Sequence, residues 1–324
     1  MQKLLFIIFL FVVTIELNAQ QDYQVSQFMY NQIAINPGAA GSKDMACVNG
    51  ILRNQWTGME GTPRDIIINA NTPFRLLKKD HGVGITFFKE DIGFNEDIDM
   101  KVCYAYRANV GNGKLGIGAG LNITNRGFNN ADWITYNIND NTLGNGSDDN
   151  SIPKSTDKVF AFDVSFGLFY KTEDLYFGIS STHINQTSYK FYNDNNNSEV
   201  ETPVKIARHY YITSGYTIQL ANPSFEITPS VLIQSDGKIH KFDLNAILSY
   251  NKKFWGGVTI RPGSAVVGML GFEILNGAKI GFAYDFPTTA ITNYYNTSYE
   301  ILLNYCFKIG VDKTPQKYKS IRFL

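Results

Sequence analysis

From Ala46 to Phe307 the chain alternates apolar and polar residues with a period of two, in one stretch after another. Asp97–Val110 shows the pattern plainly. Ile98, Met100, Val102, Tyr104, Tyr106, Ala108 and Val110 fall on one side, and Asp97, Asp99, Lys101, Cys103, Ala105, Arg107 and Asn109 on the other. Successive side chains of a β-strand point to opposite faces, so this is a strand with one apolar and one polar face. It runs well past the roughly five or six residues usual in soluble sheets. Lys158–Tyr170, Ala278–Phe286 and Tyr299–Phe307 repeat it. Gly113–Phe128 alternates Leu115, Ile117, Ala119, Leu121 and Ile123 with Gly116, Gly118, Gly120, Asn122 and Thr124.

Alternation alone fits a soluble β-sandwich, whose apolar face is the core, or an outer-membrane barrel, whose apolar face meets lipid. The connections separate the two. Fourteen strands are predicted, beginning near residues 46, 65, 82, 96, 113, 158, 174, 205, 224, 238, 254, 264, 278 and 297. Even-numbered connections are short, as at Gly111–Gly113, Lys171–Asp174, Ala221–Ser224, Asn251–Lys253 and Asn276–Gly277; the one around Pro73–His81 is longer. The odd ones hold the long polar stretches Asn129–Asp157 and Ser188–Val204, with Trp56–Arg64 and Thr288–Asn296. Short periplasmic turns and long outer loops are how outer-membrane barrels are built, and an even strand count returns both termini to one side. The prediction is an all-β, antiparallel, transmembrane outer-membrane β-barrel of about 14 strands over residues 45–308. Aromatic residues gather toward strand ends, as at Phe87-Phe88, Tyr104 and Tyr106, Tyr210-Tyr211, Tyr294-Tyr295 and Phe307, where interfacial girdles would lie.

The ends add a compartment. Lys3, the apolar run Leu4–Ile15 and Leu17-Asn18-Ala19 read as a Sec-type signal peptide over residues 1–19. That run is shorter than the roughly 20 residues of a spanning helix. Residues 20–44 do not alternate and are expected as a periplasmic N-terminal segment; residues 309–324, with Lys313, Lys317, Lys319 and Arg322, as a periplasmic tail. The formal net charge is zero, which offers nucleic acid no electrostatic footing. Cys47, Cys103 and Cys306 are an odd number and far apart, so no disulfide framework is expected and each is read as a small strand side chain.

Little in the chain points to catalysis. His81, His183, His209 and His240 lack the close spacing of metal ligands, and there is no Gly-x-Ser-x-Gly elbow or phosphate loop. Ser180-Ser181 and His183, beside the His209 strand, are the one arrangement a barrel lipid hydrolase could use. Asp140, Asp148, Asp149 and Asp194 sit in Asn/Gly-rich loops without the order of an EF-hand. No catalytic, cofactor-binding or metal-binding residue is assigned. The polar faces of the strands give lumen candidates instead: Asp97, Asp99, Lys101, Arg107, Asp163, Lys241, Asp243, Glu273 and Asp285. Their mixed signs suggest a lumen crossed by ion pairs, or simply a solvated wall.

The segment before the first strand carries a resemblance. Gln24 and Gln27-Phe28-Met29-Tyr30-Asn31, then Ile35-Asn36-Pro37-Gly38-Ala39-Ala40-Gly41, resemble the opening of the PorP/SprF family, outer-membrane proteins of the type IX secretion system. Arg53-Asn54-Gln55-Trp56-Thr57-Gly58-Met59-Glu60-Gly61-Thr62-Pro63 is similar to its second signature, and Gly82–Ile85, Asp91–Gly93 and Tyr104–Arg107 to its continuation. Gly38-Ala39 departs from the family's Ala-Tyr. Within these motifs Asn36, Pro37 and Gly41 suit a chain reversal, or a plain lead-in to the barrel. Arg53 and Gln55 lie on the polar face of the first strand, where Arg53 should pair with a carboxylate; Trp56 opens the first outer loop, and Gly58, Gly61 and Pro63 shape it. The resemblance implies a non-enzymatic secretion component embedded in outer-membrane lipid. Its implied partners are periplasmic type IX proteins and secreted adhesin cargo, with gliding motility in cells that glide. A general porin and a barrel lipid hydrolase are the competing readings.

Overall fold

The computed structural model describes residues 22–128, 134–137, 142–145, 158–189, 192–193, 198–199, 204–289 and 297–309. Fourteen antiparallel strands form one sheet that closes on itself. They are β1 Ala46–Thr57, β2 Arg64–Leu76, β3 Lys79–Ile92, β4 Asn95–Val110, β5 Gly113–Phe128, β6 Lys158–Lys171 and β7 Leu175–Thr182. Then come β8 His209–Tyr216, β9 Phe225–Ser235, β10 His240–Tyr250, β11 Phe254–Arg261, β12 Ala265–Leu275, β13 Ala278–Pro287 and β14 Thr297–Phe307. Each pairs with the next, and β1 pairs with β14 from Ala46↔Phe307 to Arg53↔Glu300, which shuts the ring. After a break at Thr217, Ile218–Gln219 continue β8 along β9.

The alternation sets which face is which. Leu121, Phe162 and Leu303 point outward and are 66%, 68% and 54% exposed, while Asn122, Asp163 and Asn304 beside them are buried inside. Large apolar side chains turned out and carboxylates turned in are the inverse of a soluble sandwich. Outward aromatics mark both rims: Tyr216, Tyr250, Phe254 and Phe307 at the end with short turns, and Trp56, Phe94, Phe160 and Phe286 at the end with long loops. Neighbouring aromatics cannot share a girdle, because period two parts them. Phe87 faces outward, but Phe88 faces inward and stacks on Tyr23 at 4.3 Å; Tyr210 and Tyr211 divide the same way.

The turns sort more cleanly than the sequence suggested. The connection around Pro73–His81 shrinks to Leu77 and Lys78, both with positive φ, because β2 and β3 stay paired through Leu76↔Lys79. That is the primed two-residue turn whose twist matches a hairpin. At the other end the β7–β8 connection forms a short ladder, Ser188–Tyr189 against Val204–Lys205, before β8 begins at His209. The end with the long loops is called outer below, and the opposite end inner. The expected signal peptide and basic tail, Tyr294-Tyr295, and the acidic loop residues Asp140, Asp148, Asp149 and Asp194 lie outside the described residues.

One cysteine expectation is corrected. Cys47 and Cys306 are register partners on β1 and β14, with Cα atoms 4.1 Å apart, and they form a disulfide across the seam of the ring. Spacing along the chain hides this, since closure brings the first and last strands together. Cys103 is a free, buried thiol.

Candidate functional site

Residues 22–43, expected as a periplasmic segment whose relation to the lumen the sequence leaves open, pack inside the barrel. Asp22 lies at the outer end beside His209, and the chain descends through the lumen to Asp44 at the inner rim, where β1 starts. Ser26, Gln27, Phe28, Asn31, Ala34, Asn36 and Ala40 are all almost completely buried. A segment with short turns and no alternation cannot extend the sheet, yet it carries Val25, Phe28, Ile33 and Ile35, which water disfavours. Burying each contributes on the order of 1.5–3 kcal/mol, and the lumen wall supplies the matching surface. Ile51, Ile67, Ile247, Trp255, Val267, Met269 and Leu302 face inward and form one apolar cluster with Val25, flanked by Tyr23, Met29 and Tyr30. Phe28 and Ile35 make a second with Tyr211 and Leu232. So the lumen holds a packed core as well as the expected charges.

Ion pairs hold the outer half of this plug. Both backbone N–H groups of Ser26 and Gln27 donate to the two oxygens of Glu300, at 2.7 and 3.0 Å. Arg53 and Arg261 converge on Asp285 at 2.8 and 2.9 Å, and both also donate to the Ser26 hydroxyl. Arg261 reaches Asp243 as well, which accepts from Gln24. Two guanidinium groups and three carboxylates therefore share one buried site in which each charged group has a partner of opposite sign, as buried charges require. Arg53, Asp243 and Asp285 were legible in the sequence; Ser26, Arg261 and Glu300 were not.

The inner half is held differently. Three short turns, Phe28–Tyr30, Gln32–Ile35 and Pro37–Ala39, follow one another, and the last presses its backbone onto glycines of the wall. A Cβ on Gly118 would stand 2.3 Å from the Gly38 nitrogen, and one on Gly82 would stand 2.1 Å from the Ala40 oxygen. Amides complete the seat. Asn36 accepts from the Gly38 N–H at 2.9 Å and donates to the Leu168 carbonyl at 3.0 Å, so the signature residue fixes both the turn and its wall. Gly41 has φ of +68° and donates to Asn71 while packing against Pro73 and Gly82, a place and a backbone that admit no side chain. Asn49 donates to the Tyr30 carbonyl, Asn69 to Asn31, and Lys101 to the Ala34 carbonyl.

The remaining sequence candidates fall around this plug. Arg107 bonds the Gly41 carbonyl and Asp44 at the inner mouth. Asp97 takes a two-pronged pair from Arg126, and Asp99 accepts from Thr124, both at the outer mouth. Asp163 pairs with His183. Lys241 is half-buried on the wall opposite Gln234, and Glu273 accepts from Gly277 N–H in the β12–β13 turn, so it serves the inner rim. Gln55 donates to Asp65; Trp56 N–H donates to Ser298; Gly58 and Gly61 have positive φ; Gln55 N–H meets the Pro63 carbonyl. These last residues knit the β1–β2 loop to the rim. Ser180 does not meet His183: it donates to the Ile35 carbonyl at 2.7 Å, and Ser181 lies on the opposite face of β7.

Among the described residues a hollow opens at each end of the plug. The outer one, of about 230 Å³, is lined by Asp22, Glu90, Asp97, Asp99, Arg126, His183 and His209 among others. The inner one, of about 480 Å³, carries Lys43, Arg107, Lys114 and Lys171 with Asp44 and Glu173. Between them a cavity of about 70 Å³ lies beside Met29, Gln32 and Ile33.

Two solved structures are similar over most of the chain at low identity. The Acinetobacter baumannii outer membrane protein Omp33 is 8% identical, matched over 83% of this chain and 100% of its own, with a TM-score of 0.44. The Ralstonia pickettii toluene transporter TbuX is 11% identical over 86% of this chain and 93% of its own, with a TM-score of 0.45. No curated protein matches. The family model for type IX secretion system membrane proteins PorP/SprF matches residues 17–305, taking in the plug and all the strands up to Tyr305. The chain is an outer-membrane β-barrel and belongs to the PorP/SprF family of type IX secretion membrane proteins.

Proposed function

We propose that this barrel serves type IX secretion as a binding component that holds secreted adhesin cargo at the cell surface, and that it does not conduct solute. The plug is the observation that supports this reading. A porin needs a water-filled lumen, whereas here the lumen is packed with residues 22–43. The outer loops and acidic outer hollow face cargo; the inner rim, with Lys43, Arg107, Lys114 and Lys171, faces periplasmic machine proteins. In cells that glide, the same binding would carry adhesins that grip the surface. The protein acts by contact, with no bond made or broken.

Surface and supernatant proteomics of a deletion strain, its parent and a complemented strain test this. Loss of one or a few adhesins, with other secreted proteins intact, is the expected result. An unchanged secretome together with steady conductance of the purified barrel in planar bilayers would replace the reading with a porin.

A further inference from the structure

The outer end of the plug brings together three residues that lie far apart in the chain. Asp22 is on the plug, His183 directly follows β7, and His209 opens β8. One carboxylate oxygen of Asp22 and one nitrogen of each ring all lie within 4.8 Å of one another. The His183 Nε2 to Asp22 Oδ2 distance is 3.8 Å. Two ligands of a tetrahedral zinc ion, each near 2.1 Å from the metal, stand about 3.4 Å apart, so small side-chain movements would close the set.

The surroundings of each ring are those of a metal ligand. His183 Nδ1 is bonded to the Asp163 carboxylate, and His209 Nδ1 to the Ala207 carbonyl at 3.0 Å. A carboxylate or carbonyl on one nitrogen fixes the proton there and turns the other lone pair toward a metal. The His209 Nε2 already acts as an acceptor, taking the Asp22 N–H at 3.3 Å. The Tyr211 hydroxyl donates to the Asp22 carboxylate, so the third ligand is also oriented by a neighbour. All three residues line the outer hollow together with Glu90, Asp97 and Asp99. An acidic approach concentrates cations.

We propose that Asp22, His183 and His209 bind a divalent first-row transition metal, zinc first, which clamps the beginning of the plug to the barrel wall. Two imidazoles and one carboxylate match the donor set of zinc and leave a fourth position toward the outer hollow. Binding displaces any proton shared between His183 and Asp22, as it does wherever a metal takes histidine ligands.

The test uses the full-length protein purified in detergent. It is stripped with a chelator and loaded with zinc alone, or with cobalt(II) as a coloured probe. One retained equivalent of zinc, and cobalt absorption bands of tetrahedral intensity, are expected. His209→Ala should lower zinc affinity at least about 100-fold, and Asp163→Asn, which alters the partner of His183 Nδ1 without removing a ligand, about 10–100-fold. Zinc should also slow alkylation of a cysteine placed at Val25 in a background lacking Cys103. Failure of the wild-type protein to retain zinc or to colour with cobalt would overturn the proposal, as would an unchanged equivalent in folded His209→Ala protein. Because the wild-type measurement stands alone, a variant that fails to fold does not leave the question open.

Discussion

The two halves of the plug occupy one lumen and are kept there by different forces. The outer half, Asp22–Gln27, is tied by charge to Arg53, Arg261, Asp243, Asp285 and Glu300. The inner half, Asn36–Gly41, is seated by shape, with backbone laid directly on Gly82, Gly116, Gly118 and Gly167. Ionic anchoring depends on the balance of partners, since each missing carboxylate leaves the buried guanidinium groups with fewer compensating charges. Steric seating tolerates changes of charge nearby but not one added methyl group.

The largest effect should come from the outer half. Asp285→Asn leaves Arg53 with Glu300 alone and Arg261 with Asp243 alone and should cost about 3 kcal/mol in chemical unfolding in detergent, the low end for a broken buried pair. A change below about 1 kcal/mol would mean that water reaches the arginines and that the outer half is not locked by charge. Gly118→Ala should come next, at about 1–3 kcal/mol from overpacking. Its particular signature is exposure of Cys103, which lies by Ile33 beneath the plug: alkylation should speed up at least about tenfold, one order of magnitude being about 1.4 kcal/mol of easier opening. Unchanged Cys103 reactivity would show that the glycine wall does not seat the plug. Arg75→Ala removes a pair with Asp80 at 2.9 Å in which Arg75 is 67% exposed, and it should cost less than about 1 kcal/mol. The finest measurement is the double variant Asp285→Asn with Gly118→Ala. If the halves are independent, the two costs should add within about 0.5 kcal/mol; a larger coupling would make the plug one rigid body.

The strands were legible in the sequence because a wall that meets lipid on one side and a polar interior on the other has to alternate. Their starts near 113, 158, 254, 278 and 297 match the structure. The plug was not legible as a plug, because residues 22–43 carry no period that names their surroundings. A trace of it was present nonetheless. Gly116, Gly118 and Gly120 occupy the inward face of β5, where a solvated wall would carry polar side chains, and two of them leave room for Pro37 and Gly38. The Cys47–Cys306 pair could have been reached from closure, since the start of the first strand and the end of the last must meet in an even-stranded ring. Asp22, His183 and His209 could not, because only the path of the plug brings the first to the other two. Glu300 is buried on the inward face of β14, and its role follows only from Ser26 and Gln27, whose backbone N–H groups donate to it.

The seam disulfide has a consequence for the order in which the molecule is made. It joins cysteines 259 residues apart, so the ring cannot be sealed until nearly the whole chain has been exported. The plug is exported first and ends up innermost, carrying Phe28, Tyr30 and Ile33 past walls that one methyl group would jam. That clearance favours strands gathering around a waiting segment over a finished ring being threaded from below. Biogenesis then resembles moulding around a core, with the earliest residues as template and oxidation of the last joint as the step that sets the cast.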